Sequence, residues 1–384
     1  MRKWLVVTVL SSNLALHNLQ RFAPVTLYDE IQVLWSTDYT GAGSLFAAYL
    51  IAYAVMVFPM GMLADRFDNR KLLMLGAGLN MAASVLFALS PNLTIAMLAR
   101  LALGASGAFL YVPSVRYVVT GFDQTIRGRV MGWVQVGAGV GQVIGFTLIP
   151  LLAGHAGFKA GFLMPVVLVA LLLIGQGIFL ESTHSSGKKM QSMGSVFRTK
   201  GFKPFLAFVF LSFLSYYALT GWLPTYLRHD FGFDATKAGL TASLSAIALA
   251  ICSPLAGLLS DHIGSRKIVL LAGSAISMIG FAILVFSNDV QLIIFAALLI
   301  GAGSAMTIPV SQMFAGEVFA VAGAGVALGF TSTTSQLASS ASGPLFGLTL
   351  DSTGSFSTLW SVALACVVMS LLCMTMVKES KWNK

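Results

Sequence analysis

The chain contains the stretch Gly61-Met-Leu-Ala-Asp65-Arg66-Phe-Asp68-Asn-Arg70-Lys71 and, at a constant offset of 196 residues, the related stretch Gly257-Leu-Leu-Ser-Asp261-His262-Ile-Gly264-Ser-Arg266-Lys267. That offset is about half of the 384 residues. A weaker repeat pairs Gly104 to Pro113 with Gly301 to Pro309. Because similarity at a fixed spacing indicates duplicated structural units, the chain is predicted to consist of two related halves.

The composition surrounding these stretches is typical of a membrane protein. Hydrophobic residues make up 57% of the chain and charged residues only 10%, with a mean hydropathy of +0.85. An ordinary soluble domain carries about 25% charged residues. This composition therefore argues against a soluble enzyme, a disordered chain and a secreted scaffold. The three cysteines lie in apolar runs and form neither a disulfide framework nor a metal-binding set. The sequence also contains neither an H-E-x-x-H motif nor a P-loop, so no catalytic residue, metal or cofactor is predicted.

Twelve apolar runs are long enough to cross a bilayer as helices. They lie at 5–28, 39–62, 72–90, 94–119, 130–153, 159–180, 204–227, 238–259, 268–287, 291–315, 324–349 and 357–377. The sequence thus predicts an all-α membrane protein with twelve transmembrane helices. The first run follows Arg2 and Lys3 and could alternatively be a signal peptide, but no clear cleavage site follows it.

The distribution of lysine and arginine predicts the orientation. With the N-terminus inside, seventeen of these residues fall on the inner side, and only Lys159, Arg228 and Lys237 fall outside. Cytoplasmic loops carry the excess of basic residues, so both termini are predicted to be cytoplasmic, with the chain in the plasma (inner) membrane. The net charge of +9 then indicates contact with a lipid surface and not with nucleic acid.

The longest loop divides the chain. It covers 181–203, contains the stretch Ser-Ser-Gly-Lys-Lys, and is polar and basic. We therefore predict an N-terminal six-helix bundle at 1–180, a cytoplasmic linker at 181–203, and a C-terminal six-helix bundle with a short tail at 204–384.

The duplicated stretch resembles the signature loop of the major facilitator superfamily. Arg100-Leu-Ala-Leu-Gly104 is similar to the family's R-x-x-x-G pattern, and Trp222-Leu-Pro224-Thr-Tyr226-Leu is also similar. The resemblance covers the whole chain. It implies two pseudo-symmetric six-helix bundles and a secondary transporter, functional as a monomer, with a central site exposed alternately to each side. It also implies a gating role for the loop residues Gly61, Asp65, Arg66, Arg70, Lys71, Gly257, Asp261, Arg266 and Lys267.

One residue departs from this signature. The family usually has glycine where this chain has Asp68, whereas the second copy keeps Gly264. Aspartate tolerates a left-handed backbone better than most residues, so we expect the turn to be preserved.

Polar residues concentrate on the spans that line the cavity in this family, which are the first, fourth, seventh and tenth. The candidate substrate contacts are Asn13, His17, Arg21, Tyr28, Arg100, Tyr216, Tyr217 and Gln312. The first four follow one another at helical spacing and are predicted to form one stripe.

Two of these candidates are arginines placed deep in the membrane. A charge at the bilayer centre costs at least about 2.5–3.5 kcal/mol. Arg21 and Arg100 are predicted to lie at the same depth, and no aspartate or glutamate lies deep in any span. A net positive layer favours a carboxylate or phosphate held by guanidinium groups. Alternatively, Arg100 is structural or gating, and Arg21 reaches Asp29 or Glu30. Arg116 is predicted to be an anchor near the cytoplasmic surface.

The sequence most resembles the organic-anion and sugar-phosphate permease branches, so a small organic anion is the predicted substrate. Coupling to a proton through His17 is one hypothesis. The alternatives are a uniporter, an anion exchanger or coupling to another ion, with His17 serving only as a hydrogen-bond donor to a neighbouring helix. A drug or metabolite efflux antiporter of the same fold, or a sensor that binds without transport, are the other functions considered. Gly104-Ala-Ser106-Gly107 also matches a G-x-S-G protease motif, but so short a match is weak.

Overall fold

The computed structural model describes residues 2–123, 126–182, 201–319 and 324–378. Within these ranges the chain is helical, with twelve long helices and one short one. The helices are α1 (Arg2–Phe22), α2 (Tyr28–Trp35), α3 (Tyr39–Arg66), α4 (Asn69–Ala88), α5 (Leu93–Gly121), α6 (Arg127–Ala156), α7 (Phe158–Phe179), α8 (Phe202–Phe231), α9 (Ala235–Ile263), α10 (Arg266–Phe286), α11 (Val290–Val318), α12 (Ala324–Thr353) and α13 (Phe356–Thr375).

The long helices confirm the predicted all-α class and the count of twelve. Among the described residues, ten helices are long and apolar enough to cross a membrane. The remaining two are α1, which begins with charged residues, and α12, which is rich in serine and threonine. The chain is therefore a multi-pass membrane protein.

The first span is not one continuous helix, and the prediction of a helix over 5–28 was wrong at its C-terminal end. Helix α1 ends at Phe22, a single turn of 3-10 helix covers Val25–Leu27, and α2 begins at Tyr28. Pro24 explains the break. Proline has no N–H and cannot donate to the carbonyl four residues earlier, which here belongs to Gln20.

Short polar side chains start several helices. Asp38 accepts a hydrogen bond from Gly41 N at 2.7 Å, and Asn92 accepts one from Ile95 N at 3.0 Å. Such caps satisfy N–H groups that have no partner inside the helix. These helices therefore begin where the sequence places a capping residue before an apolar run.

The packing of Cα atoms divides the chain into two units. The first comprises α1–α7 together with residues 227–240, and the second comprises the rest of α8 and α9 together with α10–α13. The predicted boundaries at 180 and 204 remain predictions, since most of the linker, 183–200, lies outside the described residues.

Glycines let helices approach closely within each unit. A Cβ on Gly104 of α5 would collide with the carbonyl oxygen of Tyr49 in α3, and a Cβ on Gly301 of α11 would collide with that of Ser245 in α9. The two pairs are separated by 196 to 197 residues. The internal repeat therefore extends to helix packing, as expected where small residues allow backbones to meet in a membrane.

Candidate functional site

Arg100, on α5 of the first unit, is fully buried. Its Nε donates to Leu45 O at 3.0 Å, its Nη1 to Gln20 O at 2.5 Å and its Nη2 to Arg21 O at 3.1 Å. The guanidinium carbon lies 4.7 Å from the centre of the Tyr49 ring. One side chain on α5 thus joins α1 and α3.

The hydrogen bonds of Arg100 compensate for the break in the first span. The last carbonyls of a helix lack N–H partners, and Pro24 removes the donor that Gln20 O would otherwise receive. Arg100 supplies donors to the carbonyls of Gln20 and Arg21. This geometry favours the structural alternative for Arg100, since all three guanidinium nitrogens are engaged by the main chain.

His17 is held by tyrosines. Tyr49 Oη lies 2.8 Å from His17 Nδ1 and donates to His17 O at 2.9 Å. The phenol has one proton, so these two contacts are both satisfied when Nδ1–H donates to Tyr49 Oη. The rings of Tyr53 and Tyr111 lie 4.7 Å and 6.0 Å from that of His17. A Cβ on Gly107 would lie 2.5 Å from Nδ1, so this glycine makes room for the imidazole.

Asn13 joins three helices. Its Nδ2 donates to Ser114 Oγ in α5 at 3.2 Å, and its Oδ1 accepts from Gln176 Nε2 in α7 at 2.7 Å. Both partners are fully buried. The sequence predicts a substrate contact here, but the structure places the Asn13 side chain in a hydrogen-bonded helix interface.

Arg21 and Tyr28 lie on either side of the break. Both are buried, with exposed fractions of 8% and 1%. The predicted stripe of Asn13, His17, Arg21 and Tyr28 on one helix is wrong for Tyr28, because the helix ends at Phe22 and Tyr28 begins α2. Arg21 remains next to Arg100, which binds its carbonyl oxygen.

The two carboxylates at the start of α2, those of Asp29 and Glu30, bind Arg228 and His229. Arg228 donates to both carboxylate oxygens of Glu30, at 2.8 Å and 2.9 Å, and its Nε lies 3.2 Å from Asp29 Oδ2. His229 Nε2 lies 3.1 Å from Asp29 Oδ1 and 2.9 Å from Tyr39 Oη. Arg228 and His229 were not predicted as partners of these carboxylates, although they directly follow the stretch Trp222-Leu-Pro224-Thr-Tyr226-Leu.

Three candidate contacts belong to the second unit. Tyr216 and Tyr217 are buried on α8, with ring centres 5.5 Å apart, and Tyr216 borders a small cavity lined by hydroxyl groups. Gln312 on α11 is half-buried and accepts a long hydrogen bond of 3.5 Å from Ser332 Oγ.

The first signature loop joins α3 to α5 through an ion pair. Asp65 Oδ1 lies 2.7 Å from Arg116 Nη2, so Arg116 is an ion-pair partner of the loop, a contact that the predicted anchor role did not include. Arg70 Nη2 donates to the carbonyl of Gly177 at the end of α7. Arg66 and Lys71 are exposed, and Gly61 has open space where a Cβ would lie.

Asp68 does not adopt the expected left-handed turn. Its backbone is extended, with φ −62° and ψ 118°, and its side chain caps α4 by accepting from Arg70 N at 3.0 Å. In the second copy Gly264 is left-handed, with φ 70°, and Ser265 caps α10. The two loops therefore differ in how the next helix begins. Asp68 itself caps the start of α4, whereas Gly264 forms a turn after α9 and the following residue, Ser265, caps α10.

The second signature loop uses a different set of partners. Arg266 Nη1 lies 2.6 Å from Asp261 Oδ1, and its Nε and Nη2 bind the Glu317 carboxylate of α11 at 3.1 Å and 3.2 Å. Lys267 donates to the carbonyls of Thr375 and Val377. Like Gly61, Gly257 has open space around it.

Replacing Asp65 by asparagine should slow transport sharply while sparing substrate affinity, because it removes the partner of Arg116 at the end of two helices. Asp261→Asn should have a milder effect, since Asp261 is 62% exposed and Glu317 still binds Arg266. Uptake rates and equilibrium ligand binding, measured side by side on both variants, check this expectation. Loss of binding in Asp65→Asn with an unchanged transport cycle would contradict a gating role.

Comparison with known proteins places the chain in a family. The family model of the Major Facilitator Superfamily matches residues 7–234 and 205–383. A crystal structure of a bacterial homologue of the human lysosomal transporter Spinster, in an inward-facing and unoccupied conformation, is similar over the whole chain and 98% of its own length, with a TM-score of 0.79 and 16% identity. The occupied form of that homologue gives a TM-score of 0.78 at 14% identity, over 97% of this chain and 95% of its own.

Curated relatives are similar at low identity. Multidrug resistance protein Stp of Mycobacterium tuberculosis is 23% identical over 67% of this chain. Probable anion transporter 6 of Oryza sativa subsp. japonica is 25% identical over 61% of this chain. The aligned regions span 59% and 60% of those relatives' own lengths. Since the family model covers nearly the entire sequence and the fold agrees, the chain belongs to the major facilitator superfamily.

Proposed function

We propose that the chain is a secondary transporter, and not an enzyme, that moves a small organic anion across the plasma membrane by alternating access. The substrate class comprises carboxylates, sugar acids and phosphate esters. Membership of the superfamily supports transport, and the name of the rice relative is consistent with an anion.

The positive charge of Arg100 is the observation that favours an anionic substrate. Arg100 is fully buried and its hydrogen-bond acceptors are neutral carbonyls, with no ion pair to a carboxylate among the described residues. Asp29 and Glu30 are bound by Arg228 and His229. Neutral carbonyls satisfy the N–H groups of Arg100 without cancelling its charge. The surroundings of Arg21 and Arg100 therefore favour a negatively charged ligand.

The two arginines are proposed to have different roles. Arg21 contacts the anion, because a guanidinium matches the geometry of carboxylate and phosphate groups. Arg100 contributes its charge and fixes the end of α1 from which the Arg21 side chain projects. Tyr216, Tyr217 and Gln312 remain proposed contacts from the second unit.

A screen of ligand classes tests this proposal. Purified protein is heated with carboxylates, sugar acids and phosphate esters, and in parallel with neutral sugars and lipophilic cations. A ligand that binds only the folded state raises the melting temperature by mass action. Stabilisation by anions alone supports the proposal. Stabilisation by lipophilic cations alone would favour the alternative function, a drug or metabolite efflux antiporter; the mycobacterial relative is named a multidrug resistance protein. Counterflow of a labelled ligand into proteoliposomes separates a carrier from a sensor.

Proton coupling through His17 is a further part of the proposal. With Nδ1 engaged by Tyr49, Nε2 is the ring nitrogen that can exchange a proton. The alternatives are a uniporter, an anion exchanger or coupling to another ion.

The orientation of the chain can be measured by labelling. A cysteine replacing Gly232, between α8 and α9, should react with an impermeant thiol reagent in intact cells, whereas one replacing Lys378, after α13, should react only in permeabilised cells. The reason is the concentration of basic residues on the side of the termini. Reaction at position 378 from outside would contradict cytoplasmic termini.

A further inference from the structure

A buried hydrogen-bond network holds the end of α1 next to Arg21. Gln20 Nε2 donates to Asn80 Oδ1 at 3.3 Å and to Ser84 Oγ at 2.7 Å, both on α4. Asn80 Nδ2 in turn donates to Ser106 Oγ on α5 at 2.9 Å. These four side chains, which we call the amide network, are at most 2% exposed. The last turn of α1 is therefore tied to two other helices of the first unit.

Gln20 is fixed at its main chain as well as at its side chain. Its carbonyl oxygen accepts from Arg100 Nη1, while its side-chain amide donates to Asn80. Because Arg100 and Ser106 both lie on α5, these contacts form a closed cycle that leaves Gln20 little freedom to turn about the helix axis. Successive residues of an α-helix point about 100° apart. Fixing Gln20 thus also fixes the direction in which the side chain of Arg21 leaves α1.

The second unit packs the equivalent helices in the same way. Gly76 of α4 lies against the Cβ of Phe109 in α5, and Gly273 of α10 lies against the Cβ of Met306 in α11. Both members of the pair are shifted by 197 residues. The two duplicated helix pairs can therefore be compared position by position at this offset.

The amide network is absent from the equivalent positions of α10 and α11. Its α4 and α5 members correspond to Ser277, Phe281 and Gly303, none of which carries an amide side chain. Arg100 corresponds to Ala297 at the same offset. The buried arginine and the amide network thus occur together in the first unit and are both replaced in the second. Since the second unit achieves the same packing without amides, helix packing alone does not require the network.

We propose that Asn80 is a positioning residue for Arg21. It acts through Gln20, whose side chain it holds, and so sets the direction of the guanidinium that binds the anion. An amide suits this role because it donates and accepts hydrogen bonds at once and carries no charge that could pair with the arginine in place of the anion. The inference rests on the contact between Arg21 and the anion proposed above.

Solution NMR of the purified full chain with ¹⁵N-labelled arginine tests the positioning without any ligand. The Nε–Hε signal of Arg21 is identified by its absence from Arg21→Lys. We expect one narrow signal in the wild type. In Asn80→Ala the signal should be shifted and broadened, because the side chain then samples several directions.

Two further variants separate positioning from stability. The swapped variant Gln20→Asn/Asn80→Gln keeps one long and one short amide, so it should restore the signal that Asn80→Gln alone disturbs. Gln176→Ala is the matched control, because it removes a fully buried amide that donates to Asn13 of the same helix α1 at 2.7 Å. It should lower the melting temperature much as Asn80→Ala does, but leave the Arg21 signal unchanged.

Melting temperatures in D-gluconate and in inorganic phosphate measure the consequence for binding. Asn80→Ala should lower the apparent affinity for an anion that stabilises the wild type by about 10- to 100-fold, the loss typical when an outer-shell partner of a binding group is removed. If neither anion stabilises the wild type but the Arg21 signal responds as expected, the result counts against the proposed anion and supports the positioning.

An Arg21 signal that stays unchanged in Asn80→Ala would overturn the proposal, because the network would then only hold helices together. A signal that changes equally in Gln176→Ala would overturn it too, since any loss of a buried amide would have the same effect.

Discussion

Replacing Arg100 by methionine should destabilise the protein in the absence of any ligand by about 2–6 kcal/mol, because a buried acceptor left without a donor costs about 1–3 kcal/mol and Arg100 serves two carbonyls at the end of α1, those of Gln20 and Arg21. Methionine keeps much of the side-chain volume, so the loss reports mainly on the hydrogen bonds. Denaturant or thermal unfolding of the purified variant measures it.

A second substitution tests whether the missing N–H of Pro24 is the reason why the carbonyl of Gln20 depends on Arg100. Pro24→Ala restores an N–H that can reach the carbonyl of Gln20, so it should recover part of the stability lost in Arg100→Met while having little effect alone. Arg116→Met is the control for loss of an arginine from the same helix. An Arg100→Met protein that unfolds like the wild type without ligand, but no longer binds the anion, would instead identify Arg100 as a direct contact.

Replacing Arg21 by alanine should abolish transport of the true substrate. A charged hydrogen bond contributes about 1.5–3 kcal/mol, so losing a bidentate pair should weaken binding by about 100-fold or more. Arg21→Lys should recover only part of the affinity, because lysine keeps the charge but lacks the planar pair of donors. Uptake into proteoliposomes and ligand-dependent melting temperatures measure both effects.

Lys159→Ala provides the control for this loss of positive charge, since Lys159 is exposed at the start of α7. It should leave uptake and binding unchanged. Normal anion uptake by Arg21→Ala, in a preparation where the control is also active, would refute the proposed contact. So would a substrate that is neutral or cationic.

The sequence predicts the helices well because lipid leaves the backbone few alternatives. An apolar run of suitable length must satisfy its own N–H and C=O groups, and only a helix does so within one segment. The repeat of Gly61–Lys71 at Gly257–Lys267 likewise predicts the duplicated packing found at Gly104 and Gly301. Both inferences depend on local pattern and spacing, which a single sequence displays.

Side-chain partners from distant segments were harder to predict. Pro24 indicates that the carbonyl of Gln20 lacks an N–H donor, but nothing in the sequence indicates that Arg100 supplies one. Arg116 near a helix end is compatible with an anchor, and only the fold shows Asp65 beside it. The prediction for Asp68 was wrong because aspartate can both adopt a left-handed backbone and cap a helix, and in the structure it caps α4.

The dependence of α1 on Arg100 also has a consequence for biosynthesis. The donor for the carbonyl of Gln20 lies 80 residues further along the chain. A ribosome needs about 4 to 16 s to add those residues at 5–20 residues per second. Until Arg100 has been added, the carbonyl groups at the end of α1 lack donors, and placing them in the hydrocarbon core of the membrane is energetically unfavourable. The nascent first helix is therefore expected to stay in the translocon, or to lie close to the water interface, and to enter lipid together with the later helix that carries the arginine.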